Sequence, residues 1–164
     1  MIYPLLKILH VVSAGLWLSL LIYGLIIRSR IKGKENTPAG KELIMTYVSV
    51  LNPLGIIGSM GILITGIILS IQSGMGFFQF ASGGNHWLYT KQFLMVIILI
   101  LVGAVMIPAA KKLKSEILPS LTDSAPLTEG AKAAFKKLVK VDLSINILVI
   151  LNILLAFSRY FMGR

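Results

Sequence analysis

The chain has 164 residues, 56% of them hydrophobic, with a mean hydropathy of +0.87 and a formal net charge of +10. A soluble domain is about 45–50% apolar even with glycine counted, so an ordinary water-soluble domain is excluded. There is no cysteine, which removes disulfides, thiolate metal sites, iron–sulfur clusters and a cysteine nucleophile.

Four stretches are long and apolar enough to cross a bilayer, which takes roughly 20 residues. They run near Ile2–Ile27, Leu43–Gln72, Trp87–Ala110 and Val141–Met162. The first is read as a transmembrane helix and not as a signal peptide. It lacks a basic n-region and a small-residue cleavage site, and it ends in the basic run "RSRIKGK". The second carries Gly55, Gly58, Gly61 and Gly66 with Ser59 and Thr65, small residues that let helices approach closely in lipid. Its Asn52-Pro53 step predicts a kink or a loosened turn. The fourth is preceded by "TEGAKAAFKKLVK", which predicts a helical extension over about 128–140 with Thr128 as N-cap. The expected architecture is all-α: a single four-helix membrane bundle of up-down-up-down topology.

The sixteen Lys and Arg crowd into Arg28–Lys41 and Lys111–Lys140, leaving Lys7, Lys91, Arg159 and Arg164 as exceptions. Those crowded segments are the first and third connections. The middle one, "SGMGFFQFASGGN", is uncharged. The positive-inside rule then makes the first and third connections cytoplasmic and puts both termini outside, on the periplasmic side of a prokaryotic plasma membrane. The basic charge is accounted for by topology and anionic lipid, so nucleic acid is not an expected partner.

On this topology Lys7, His10, His86, Lys91 and Arg159 gather in the outer half of the bundle, His10 roughly 10 Å below the outer end of its helix. All six acids lie in or beside the cytoplasmic connections. Intramembrane ionisable groups are functional candidates by default, and cations without a counter-ion repel one another. An external anion resolves this. Tyr3, Lys7, His10, Ala14, Trp17 and Gly24 share one stripe of the first helix, a face against which a flat cofactor can lie. Haem suits it, with His10 as axial ligand and propionates on Lys or Arg. The bland alternative is a His10 that only hydrogen-bonds a neighbouring helix through Ser13, Asn52 or Asn152, with Trp17 as core filling. Trp87 and Tyr89 then belong to an interfacial aromatic belt. Hydrolytic triads have no acid near either histidine, and two histidines cannot hold the two haems of a transmembrane dihaem cytochrome.

"LKILHVVSAGLWLS" and "HWLYTKQFLMVIILIL" resemble the first and third helices of the four-helix membrane protoporphyrinogen oxidases, and more loosely the membrane domain of copper-resistance D proteins. Lys7, His10 and Trp17 match in the first, and Trp87, Leu88 and Lys91 in the third. Of the oxidases' Pro-Arg-Leu-Phe-Val-Tyr-His signature "YGLIIRSRIKG" offers Arg28 and neither the proline nor the histidine, and their Asn-Glu-x-Pro motif has no counterpart. The resemblance implies haem b on His10 and a functionally required, catalytic Lys91. The opposite axial site would be open, or filled by His86 or Lys91. Lys7, Lys91 and Arg159 would hold propionates or a porphyrin- or quinone-like substrate. Three readings follow: a haem b redox protein oxidising a porphyrinogen or passing electrons to a membrane acceptor, a copper handler, and a cofactor-free accessory subunit. The last would sit in a larger membrane complex; a homodimer is the other assembly expected.

Overall fold

A computed structural model describes residues 2–81, 84–122 and 125–161, with side chains in the last stretch as far as Ser158. Within them the chain is all-α, and four apolar helices are each long enough to span a membrane: Ile2–Ile31, Pro38–Gln72, His86–Ser120 and Glu129–Ser158. The protein is an integral membrane four-helix bundle. Its first and third connections form one end, called here the basic end. The middle connection lies at the opposite end.

Helix α1 (Ile2–Ile31) stops where Gly33 takes a φ of +78°, the left-handed turn that glycine adopts without a Cβ clash. Helix α2 (Pro38–Gln72) opens on a proline in its first turn, with the Thr37 hydroxyl accepting the Gly40 N–H. It stays helical through Pro53 to Gln72.

The third span is built from α3 (His86–Ile100), one π-helical turn (Leu101–Met106), α4 (Ile107–Ile117) and a short 3-10 turn, Leu118–Ser120. Pro108 explains the wide turn. Its ring would collide with the carbonyl four residues back, at Ala104, and it has no N–H to offer that carbonyl. Helix α5 (Glu129–Phe161) is capped by the Thr128 hydroxyl, which accepts the Ala131 N–H at 3.0 Å. The helices reach further towards the basic end than the apolar runs alone indicate. Beyond the lipid-length stretch, α4 and α5 pair through Leu113, Ile117, Ala131, Ala134 and Leu138, with their lysines outward.

Packing divides the molecule into two hairpins. Helix α1 packs along α2, and the third span packs along α5. The hairpins join towards the basic end, where α4 meets α2 and α1 meets α5. There the buried core is continuous, from Trp17, Leu20, Ile27 and Ile31 through Ile44, Tyr47 and Leu51 to Met106, Leu113, Leu138 and Ile145. Within the first hairpin the glycines of α2 set the approach. A methyl group on Gly61 would overlap the Ser13 hydroxyl, and one on Gly66 would lie 3.4 Å from the His10 ring.

Two links tie the basic-end connections together. The fully buried Lys41 donates from Nζ to the Ser120 carbonyl at 2.6 Å, and the Asn36 side-chain oxygen accepts the Leu127 N–H at 3.0 Å.

Candidate functional site

Away from the basic end the hairpins part, and a cavity of about 500 Å3 opens between α2 and α3. That volume is in the range of small-molecule and cofactor sites. Its walls are mostly apolar: Ile62, Leu63, Ile67 and Leu69 from α2, and Leu88, Met95, Val96 and Leu99 from α3. The polar groups facing it are few. They are His10, Ser70, Ser73, Lys91, Gln92 and Asn152, with Tyr3 and Trp87 at the rim.

His10 is held by a specific contact. Its Nδ1 lies 2.8 Å from the Thr65 hydroxyl oxygen. That hydroxyl donates its own proton backwards, to the Gly61 carbonyl at 2.5 Å. A hydroxyl has one hydrogen, so with that proton on the Gly61 carbonyl the Thr65 oxygen is an acceptor for an Nδ1–H. In that arrangement Nε2 carries the lone pair. An acceptor held against one ring nitrogen is the usual way an imidazole is oriented as a metal ligand through the other. The hydrogen bond between helices anticipated for His10 is thus present, but its partner is Thr65 and not Ser13, Asn52 or Asn152.

Lys91 faces the same cavity. Its Nζ sits 5.7 Å from the centre of the Trp87 ring, and it makes no hydrogen bond or ion pair with a described residue. Asn152 on α5 donates to the Lys91 backbone carbonyl at 3.1 Å, fixing α3 against α5 at this level. Among the described residues no Asp or Glu lines the cavity.

The remaining sequence candidates separate. Lys7 is exposed, its Nζ 4.4 Å from the Tyr3 ring centre, and it does not line the cavity. Trp17 is buried in the core beside a small second cavity near Asp142, away from His10. His86 is exposed in the first turn of α3, next to the cavity-lining Trp87. The Arg159 side chain lies outside the described residues. Tyr89 is buried, its hydroxyl 3.5 Å from the Gln79 side-chain oxygen and its ring edge-on to Phe80. Among the described residues no group of three or more His, Cys, Asp or Glu gathers as a metal site would require. Any ion here would take His10 with other kinds of donor.

A strained loop covers the end of the cavity. Phe78 has a φ of +55°, which for a bulky residue costs on the order of 1–3 kcal/mol. One side chain fixes it: the Gln92 oxygen accepts the Phe78 N–H at 2.9 Å, while its amide donates to the Gly76 carbonyl at 3.4 Å.

The sequence reading missed a second polar cluster, in the basic-end half. Arg28 forms an ion pair with Asp142, and the Tyr47 hydroxyl donates to the same carboxylate oxygen at 2.8 Å. Asn146 donates to the other oxygen at 3.0 Å. Gly24 makes room, since a methyl there would lie 3.1 Å from the Arg28 guanidinium and 3.3 Å from the carboxylate. Asp142 is therefore a buried acid joining two hairpins, not an acid beside a connection. An aspartate inside "KVDLSINILVIL", with an arginine ending the first apolar run, was the available signal.

No family model, curated protein or solved structure matches the chain. The architecture shown is an all-α bundle of four apolar spans, common to many membrane proteins.

Proposed function

We propose that the cavity between the hairpins holds haem b, and that the chain is a redox protein of a prokaryotic plasma membrane with its basic end inward. The observation that carries the reading is His10 on the wall of a mostly apolar cavity, its Nδ1 engaged by the Thr65 hydroxyl so that Nε2 is left for a ligand. His10 would hold the iron through its free ring nitrogen, with Thr65 fixing the ring. Lys91 would offer a positive charge to a propionate, with no acid among the described lining residues to compete for it. Ile62, Leu63 and Leu99 would exclude water from the macrocycle. Bound haem supplies one-electron chemistry at its iron, and a porphyrin- or quinone-like compound is the substrate class that a lysine beside an apolar wall accommodates.

The test is an absorption spectrum of protein purified in mild detergent from haem-replete cells. A Soret band and a reduced α band of haem b are expected, and both vanish in His10→Ala while that variant still inserts in the membrane. Colourless parent protein favours a cofactor-free accessory subunit. A His10→Ala variant as red as its parent removes His10 as ligand. Turnover of protoporphyrinogen that falls in Lys91→Ala would make the chain an oxidase.

One observation favours copper as a second reading. Met75 and Met95, far apart in sequence, both line the cavity with His10, and copper(I) takes thioether and imidazole donors. Tight copper(I) binding by colourless protein, lost in His10→Ala, would establish it.

A further inference from the structure

At the end away from the basic connections the loop carrying Phe77 and Phe78 lines the cavity, and Gln92 holds it through the Phe78 N–H and the Gly76 carbonyl. Tyr3 adds a contact from its hydroxyl to the Ser73 hydroxyl at 3.3 Å. Sideways no such hydrogen bond joins α2 to α3 among the described residues. Ile67 on α2 and Val96 on α3 both line the cavity, and both are exposed. Around them Ile64, Phe93 and Ile100 are exposed as well. The packing of α2 against the third span runs chiefly through α4, below this level. At this height an apolar exposed face borders acyl chains, not water.

We infer that the ligand of this cavity enters and leaves through the bilayer, by the gap between Ile67 and Val96, and that it is a flat lipid-soluble compound with an anionic or carbonyl head. The head is set by Lys91, whose ammonium lies 5.7 Å from the Trp87 ring centre on the cavity wall and makes no ion pair with a described residue. The body is set by the apolar walls and the lateral opening, which tolerate an apolar edge or tail left in lipid. The inference rests on the haem reading in taking the same cavity and the same Lys91 end, and it adds a route and a physical class of ligand.

The absence of cysteine makes the test clean. Leu99→Cys places a thiol on the cavity wall, and Ala81→Cys places one at an exposed loop position outside the cavity lining as reference. Both are placed in lipid nanodiscs, open to reagent on both faces, and treated with membrane-partitioning pyrene maleimide or with a charged methanethiosulfonate. Leu99→Cys is expected to take the pyrene reagent and to be spared by the charged one, which modifies Ala81→Cys. Adding Ile67→Trp and Val96→Trp is expected to suppress pyrene labelling of Leu99→Cys. Charged labelling of Leu99→Cys as fast as of Ala81→Cys overturns the inference, as does pyrene labelling that the tryptophans leave unchanged or that never occurs. Met95→Cys is a second reporter should Leu99→Cys fail to give a monodisperse helical protein. Labelling needs no haem, so colourless protein labelled from the lipid side removes the haem reading and keeps this one.

Discussion

The two halves of the bundle treat charge in opposite ways. In the basic-end half Arg28 meets Asp142, with Tyr47 and Asn146 completing the carboxylate's partners, and the packing leaves only a cavity of about 20 Å3 beside it. In the other half His10 and Lys91 face about 500 Å3 with no acid among the lining residues. Where the chain supplies its own counter-charge the hairpins close, because Arg28 and Tyr47 of the first hairpin both reach Asp142 of the second. Where it withholds the counter-charge they stay apart, because apolar walls alone give helices little reason to associate in lipid. The contrast separates a clamp from a site.

Breaking the clamp is the largest effect expected. Asp142→Ala leaves the Arg28 guanidinium buried without its carboxylate, and removing one partner of a buried pair costs about 3–5 kcal/mol. Arg28 Nη2 is already without a hydrogen-bond partner, so no spare acceptor is waiting. Thermal unfolding in detergent should show a marked fall for Asp142→Ala and for Arg28→Ala. The double replacement Arg28→Leu with Asp142→Leu should recover much of it, since no lone charge remains. A double variant as unstable as either single one would mean that the pair is not what joins the hairpins. Tyr47→Phe is a milder break. It removes one hydrogen bond to a charged group, about 1.5–3 kcal/mol, and leaves the ion pair in place. Both changes are expected to lower stability without moving the haem spectrum of the folded fraction.

The next effect belongs to the other half. Thr65→Val keeps the volume beside His10 but removes the acceptor of Nδ1–H. Loss of such an outer partner usually costs about 10–100-fold in metal affinity. Haem titration of apoprotein should show that loss with little change in melting temperature. Unchanged affinity would mean that the Thr65 contact does not set the tautomer.

The sequence carried the spans, because runs of twenty apolar residues have few other uses, and it carried the Thr128 cap, whose hydroxyl acts within one helical turn. It also carried His10 and Lys91, since ionisable groups stand out in apolar runs. What it hid depends on contacts across the fold. Arg28 and Asp142 are 114 positions apart, and each read as an ordinary boundary charge. Thr65 read as one small residue among glycines until the approach of α1 made it the partner of His10. The stripe on α1 placed Trp17 beside His10 by helical spacing, yet Trp17 turns into the core at the level where the hairpins have already closed. Periodicity assigns a face; it does not say at what depth two hairpins separate.

The smallest effect tests whether the cavity distinguishes its lysines. Lys7 and Lys91 both stand within the apolar spans of the less charged half, and each has an aromatic ring near its ammonium, at 4.4 Å and 5.7 Å. Only Lys91 lines the cavity. Lys7 is exposed, and an exposed cation over a ring contributes about 0.5–1 kcal/mol, none of it directed at a ligand. Lys7→Ala should therefore leave haem retention and spectrum unchanged, while Lys91→Ala weakens retention by the loss of a charge-assisted contact. Equal losses in both variants would mean that the half attracts its ligand through its field as a whole, with Lys91 contributing no more than its sign. A loss confined to Lys91→Ala would tie the ligand's charged group to the wall of α3, the side of the opening on which Val96 stands.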